Sequence, residues 1–211
     1  GTGVPQDDNE AVNWYARAAN QGHDASQDFL GRMYYRGIGV PQDYKIAVAW
    51  FRRAAEQDNA SAWGHLGRVY ALGHGVQKDY QEAIKWYRLA ANQKYAFAQF
   101  ALGAMYSYGG HGVQKDYQEA IKWYRLAANQ KHAFAQFALG AMYNSGQGVP
   151  KDLTEAFKWY SMAANQGLAG AQGSLGWMYY RNGNGDPKDF PKALNWYRLA
   201  AEQGDAIAQR F

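Results

Sequence analysis

The 211-residue chain has no cysteine. Disulfides, thiolate metal sites and cysteine nucleophiles are therefore excluded, and the compartment is left open. No apolar run approaches the ~18 residues of a membrane-spanning helix, and the first residues show no basic and apolar signal segment. Charge of one sign is also scarce: 22 Lys and Arg stand against 18 Asp and Glu, for a net +4. That dispersed excess does not call for nucleic acid or a membrane surface as partner.

What is present is repetition. Residues 75–106, GVQKDYQEAIKWYRLAANQKYAFAQFALGAMY, recur at 112–143 with one difference, Tyr95 against His132. Diluted copies cover the rest of the chain. Trp14, Trp50, Trp86, Trp123, Trp159 and Trp196 are spaced 36, 36, 37, 36 and 37 residues apart. The pairs Leu30-Gly31, Leu66-Gly67, Leu102-Gly103, Leu139-Gly140 and Leu175-Gly176 keep the same period. Both one-residue insertions fall in one slot, near Gly109 and near Asn182, which marks a surface turn. With 47% hydrophobic and 16% aromatic residues, such a chain gains stability by stacking neighbour on neighbour, without one central core.

Each repeat reads as two helices and two turns. The second helix opens at Asp7, Asp43, Asp79, Asp116, Asp152 or Asp189, and Glu10, Glu82, Glu119 and Glu155 follow four of these by three residues. That spacing predicts capping boxes, in which Asp takes a free backbone N–H and Glu reaches back. Ala83, Trp86, Tyr87, Ala90 and Ala91 form one face of this helix, and Ala62, Leu66, Gly67 and Tyr70 one face of the first. Gly67 costs ~1 kcal/mol against Ala inside a helix, so its recurrence predicts close packing. The loop from first to second helix is Gly-x-Gly, at 37/39, 73/75, 110/112, 146/148 and 183/185. The other turn holds Gly22, Gly167 and Gly204, but Asp58, Lys94 and Lys131 in the remaining copies.

The assembled string, Leu-Gly-x-x-Tyr, Gly-x-Gly-Val-x-x-Asp, Ala-x-x-Trp-Tyr-x-x-Ala-Ala, is whole in residues 66–91 and resembles the Sel-1-like repeat family, relatives of the tetratricopeptide repeat. The resemblance covers essentially the whole chain. It implies an all-α, right-handed α/α solenoid of antiparallel helix pairs, acting as a non-catalytic adaptor; many members are bacterial, and several are exported to the envelope or host. Asp186 departs from the pattern where the loop Val is missing. The lack of cysteine separates the chain from the disulfide-bridged branch, whose penicillin-binding activity is not carried over. Residues 1–211 are expected to form one repeat domain of about five full repeats with partial ones at both ends, since GTGVPQDD aligns with GIGVPQDY and AIAQRF stops where other copies continue. Such an excised segment is expected to self-associate through its uncapped ends, Trp14 and Tyr15 at one and residues 206–211 at the other.

No catalytic constellation survives the repeat explanation. His74 and His111 occupy equivalent loops ~10 Å apart, too far to share a zinc ion, while His23, His65 and His132 are scattered singly. The acidic residues recur as helix caps, and GHG and GGHG lack the Gly-Lys-Ser/Thr of a phosphate loop. No enzyme, metal or cofactor is expected.

A partner surface is expected opposite the packed stripe of the first helices, which line the concave side in tetratricopeptide-type solenoids. There Asp28, Arg32, Tyr35 and Arg36 give way to Ser61, Gly64 and Arg68. Phe97, Phe100 and Tyr108, then Phe134 and Phe137, then Trp177, Tyr180 and Arg181 follow in the later copies. These positions vary within a constant frame, as a binding groove for a peptide or protein segment requires, and the arginines suit an acidic or C-terminal carboxylate. The Phe side chains could equally pack on the adjacent first helix. A rival surface is the basic stripe Lys85, Arg88, Lys122, Arg125, Lys158 and Arg198, suited to nucleic acid or envelope glycan but interrupted by Glu82, Glu119 and Glu155. A cell-wall hydrolase would need a nucleophile beside a base, and the sequence supplies none.

Overall fold

The computed structural model describes residues 7–110, 112–182, 189–206 and 208. His111, the loop glycines 183 and 185, and Asp186 lie outside them. Among the described residues the chain is all-α, with one isolated bridge between Gly110 and Val113. It divides into two compact units: Gly1–Leu102 with Gly109–Gln114, and Gly103–Tyr108 with Lys115–Phe211. The helices are α1 (Asp8–Asn20), α2 (Asp24–Arg36), α3 (Tyr44–Ala55), α4 (Ala60–Leu72), α5 (Tyr80–Asn92), α6 (Ala96–Tyr108), α7 (Tyr117–Asn129), α8 (Ala133–Ser145), α9 (Leu153–Ala164), α10 (Ala169–Asn182) and α11 (Phe190–Glu202). Even-numbered helices are the first of each repeat, odd-numbered ones the second. Within each unit every helix packs on the next in series, α1 through α5 in one and α7 through α11 in the other.

Five second helices start as the sequence requires. Oδ1 of Asp7, Asp43, Asp79, Asp116 and Asp152 each accepts two backbone N–H groups from the first turn, at 2.8–3.0 Å. The reciprocal half of the capping box is absent. The backbone N–H of Asp79 and Asp152 is already donated to the Tyr70 and Tyr143 carbonyls, so Glu82, Glu119 and Glu155 turn to Lys85, Lys122 and Lys158 at 2.8, 3.2 and 3.3 Å. Those glutamates are then lost to the indoles one turn on: in α1, Trp14 Nε1 donates to Glu10, whereas Nε1 of Trp86, Trp123 and Trp159 is buried without a hydrogen-bond partner. Asp189 also departs from expectation. Its backbone is helical, Pro191 occupies the first turn, and its carboxylate makes no cap bond, binding Lys192 Nζ at 3.0 Å instead.

The short turns keep one conformation whatever residue occupies them. Asp58, Lys94 and Lys131 adopt φ of 59°, 61° and 64°, the left-handed region that glycine enters freely and side chains enter at about 1–2 kcal/mol.

The core repeats with the sequence. Leu30, Leu66, Leu102, Leu139 and Leu175 are at most 1% exposed, beside alanines that are fully buried. The glycine after each leucine is a seat for an aromatic ring of the following second helix. A Cβ added at Gly31, Gly67, Gly103, Gly140 or Gly176 would lie 2.5–2.8 Å from Phe51, Tyr87, Tyr124, Tyr160 or Tyr197. Repeats are also tied by a polar ladder that the hydrophobic pattern does not announce. Gln27, Gln136 and Gln172 donate to the carbonyls of Ala19, Ala128 and Ala164, and each accepts from the glutamine that ends the next second helix, Gln57, Gln166 or Gln203, at 2.7–2.9 Å. In α4 the indole of Trp63 replaces glutamine and donates to the equivalent Ala55 carbonyl at 3.1 Å.

Candidate binding faces of the first helices

Of the twelve candidate residues, six belong to each unit. In the N-terminal unit, α2 presents Arg32, Tyr35 and Arg36, α4 presents Arg68, and α6 begins with Phe97 and Phe100. The guanidinium of Arg32 lies 4.9 Å over the Phe29 ring and that of Arg68 5.2 Å over Tyr35, which orients both by cation–π contact. Tyr35 Oη is 2.9 Å from His74 Nδ1, and His74 stacks on Tyr44 with centroids 4.4 Å apart. Arg36 is exposed. Phe97 and Phe100 are half-buried, and Phe97 meets the rings of Tyr87 and Tyr95 edge-on at 6.2 Å.

Beneath the arginines lies a buried polar cluster. Asp28 is 4% exposed; its Oδ2 accepts from Ser61 Oγ at 3.0 Å, while Oδ1 has no hydrogen-bond partner and faces His65 Nε2 at 3.8 Å. This is not an ion pair. Burial first, then the positive charges of Arg32, Arg68 and Arg36, hold the His65 imidazole down to about 3, so it is neutral at pH 7. Burial likewise pushes the Asp28 carboxyl up. Nothing in the repeat pattern relates Asp28 to His65; the contact between α2 and α4 joins them.

In the C-terminal unit, Tyr108, Phe134, Trp177 and Tyr180 are 81%, 56%, 45% and 46% exposed. Trp177 and Tyr180 stack at 6.0 Å, with the Arg181 guanidinium 6.0 Å over the Trp177 ring. Phe137 behaves differently: half-buried, it packs 5.5 Å from the Tyr160 ring and on the core around Leu175. Beside it opens a cavity of about 490 Å³, bordered by Phe137, Tyr160, Gly173, Trp177, Tyr197 and Asp205. Sequence reasoning missed it. The signal was the glycine pair Gly170 and Gly173, which stands where α6 and α8 carry Phe97/Phe100 and Phe134/Phe137.

Four of the six cations in the basic stripe of the second helices face a carboxylate of their own helix. Lys85, Lys122 and Lys158 are paired as above, Arg198 Nε lies 3.3 Å from Glu202, and Arg125 donates to Tyr143 Oη at 2.6 Å. Histidines serve the frame: Nδ1 of His23 and of His132 accepts the N–H of Ser26 and of Ala135, capping α2 and α8. Among the described residues no group of three or more His, Cys, Asp or Glu could hold a metal ion, and no helix is long and apolar enough to cross a membrane.

A family model described as Sel1 repeat matches residues 1–23, 24–59, 65–95, 96–132, 133–168 and 169–205. No curated protein matches the chain. Among solved structures it is similar to c5321, a protective antigen of uropathogenic Escherichia coli strains displaying an SLR fold. The identity is 41% with a TM-score of 0.82, over 99% of this chain and 44% of that one. The chain thus spans less than half of that protein's length. A Sel1 repeat protein from Oxalobacter formigenes is 37% identical, with a TM-score of 0.82 over 93% of this chain and 86% of that one. The immunity protein Pa5087 from Pseudomonas aeruginosa, 19% identical over 95% of this chain and 76% of that one, shares the fold with a TM-score of 0.64. Repeats in the sequence, helix pairs in the structure and these likenesses agree: the chain belongs to the Sel1-repeat family, a scaffold family generally involved in protein–protein interaction.

Proposed function

We propose that the chain is a non-catalytic adaptor that binds a peptide or segment of another protein along the outward stripe of its first helices. The observation that carries this reading is a contrast between two sets of positions on the same helices. The Leu-Gly scaffold is constant and buried, whereas the stripe varies from repeat to repeat and keeps Tyr108, Phe134, Trp177 and Tyr180 between 45% and 81% exposed. Exposed aromatics beside arginine have the composition of interface anchors. In the N-terminal unit Arg32, Arg36 and Arg68 suit a carboxylate of the partner. The rival polyanion stripe lacks comparable support, because Lys85, Lys122, Lys158 and Arg198 each face a carboxylate of their own helix.

The test is capture from lysate and envelope fractions of the source organism. The parent chain is compared with a Phe134→Ser, Trp177→Ser double variant of unchanged far-UV circular dichroism. One protein retained by the parent and reduced about tenfold or more by the variant is expected, since central aromatic anchors carry ~2 kcal/mol or more each. Equal capture by both refutes the reading.

A further inference from the structure

Neighbouring first helices meet at a fixed register. Within each unit, the fifth residue of a first helix, Asp28, Gly64, Phe137 or Gly173, is matched by the residue that closes the turn after the following second helix, Asn59, Tyr95, Leu168 or Asp205. In the N-terminal unit the glycine of one partner is answered by the ring of the other: a Cβ on Gly64 would lie 2.5 Å from Tyr95 Cε1. Phe137 in the C-terminal unit supplies the bulk itself, and Leu168 packs on the same core. At the following pair neither residue supplies bulk. Among the described residues, Gly173 has only Asp205 Oδ2 near its added Cβ, at 3.9 Å, and Gly170 only the Phe137 ring, at 3.5 Å. The cavity of about 490 Å³ is the consequence.

The geometry points to this cavity as the receptor for one aromatic side chain, tyrosine or phenylalanine, presented by a protein partner; the inference rests on the adaptor reading above. The fold supplies the precedent, because Tyr95 covers the same glycine floor in the N-terminal unit. The walls suit such a guest. Phe137, Tyr160, Trp177 and Tyr197 offer ring faces and edges for offset or T-shaped contact, and the floor of backbone and glycine lets a flat ring approach closely. The Asp205 carboxylate at the border disfavours an acidic guest.

The test is an NMR titration of the ¹⁵N-labelled chain with N-acetyl-tyrosine amide and N-acetyl-phenylalanine amide, with the leucine and glutamate amides as controls. The aromatic amides are expected to shift the Gly173 and Asp205 amides and the Trp177 indole with Kd on the order of 1 mM, and the leucine amide to bind roughly tenfold more weakly. Two variants close the cavity from within: Asp205→Tyr copies the Gly64–Tyr95 arrangement, and Gly173→Phe copies α6 and α8. Each is expected to abolish the shifts while its dispersed spectrum reports an intact fold. Equal binding of the leucine amide, shifts that persist in both variants, or no shifts with any amide would overturn the proposal. So would concentration-dependent shifts of the same resonances without probe, which would put a second copy in the cavity. Because the probes are free amides, this test can fail while partner capture succeeds, and the reverse.

Discussion

Gly140 and Gly173 both sit inside helices, and alanine at either gains about 1 kcal/mol from backbone propensity. Their surroundings set the sign of the net effect. At Gly140 the new Cβ would lie 2.6 Å from Tyr160 Cδ1 and 2.7 Å from Cε1, and Tyr160 is itself only 5% exposed in a core with Leu175 and Met178. Reaching 3.4 Å, ordinary van der Waals contact, requires the ring to retreat by the difference from 2.6 Å, about 0.8 Å. Overpacking of this kind costs about 1–3 kcal/mol, leaving Gly140→Ala destabilised by about 1 kcal/mol after the propensity gain. Gly173→Ala meets its nearest atom at 3.9 Å and keeps the full gain. For a chain of this length each kcal/mol moves Tm by about 2–4 °C, so thermal melts followed by circular dichroism should place Gly140→Ala about 3 °C below the parent and Gly173→Ala about 3 °C above. A rise in Tm for Gly140→Ala equal to that of Gly173→Ala would refute the argument that the Leu-Gly glycines are retained as seats for aromatic rings.

Acid should weaken the fold through His65. Its folded pKa of about 3 lies below the ordinary 6.5, so the unfolded chain binds the extra proton; stability is full above pH 6.5 and falls as pH drops toward 3, by about 2 kcal/mol at pH 5. Asp28, raised by burial, is protonated earlier in the folded chain and opposes the loss at the acid end. Denaturant melts at pH 7 and 5 should show the decline in the parent and a clearly smaller one in His65→Ala, alanine being the residue found at this register in α6 and α8, the remainder coming from His132, whose imidazole burial also holds down; an equal decline in both would rule out His65 as the cause. Cap removal should discriminate between two aspartates: Asp116→Ala loses two backbone hydrogen bonds and about 1 kcal/mol. Asp189→Ala loses only a surface pairing with Lys192 and should leave Tm within about 1 °C; equal losses at the two sites would contradict the cap assignment.

Much of this protein was legible in its sequence, because what the repeat fixes is local. The Trp and Leu-Gly periods, the Asp caps and the Gly-x-Gly loops act within a few residues of one another, and they gave the helix pairs, their order and the position of the first one-residue insertion. The capping boxes were misread for a tertiary reason. The N–H groups of Asp79 and Asp152 are taken by tyrosine carbonyls from the preceding helix, which no spacing within α5 or α9 reveals.

The faces that could bind a partner lie beyond the reach of period alone. Whether Phe137 is a groove residue or a core residue depends on Tyr160, 23 positions further on. Asp28 and His65 become one buried cluster only because α4 packs on the helix that carries Asp28, and His65 loses its charge only in that company. The one position that differs between the near-identical copies takes two roles: the Tyr95 ring covers Gly64, whereas His132 caps α8. A residue's own repeat sets its backbone, and the neighbouring repeat decides whether its side chain is buried, paired or left at the border of a cavity.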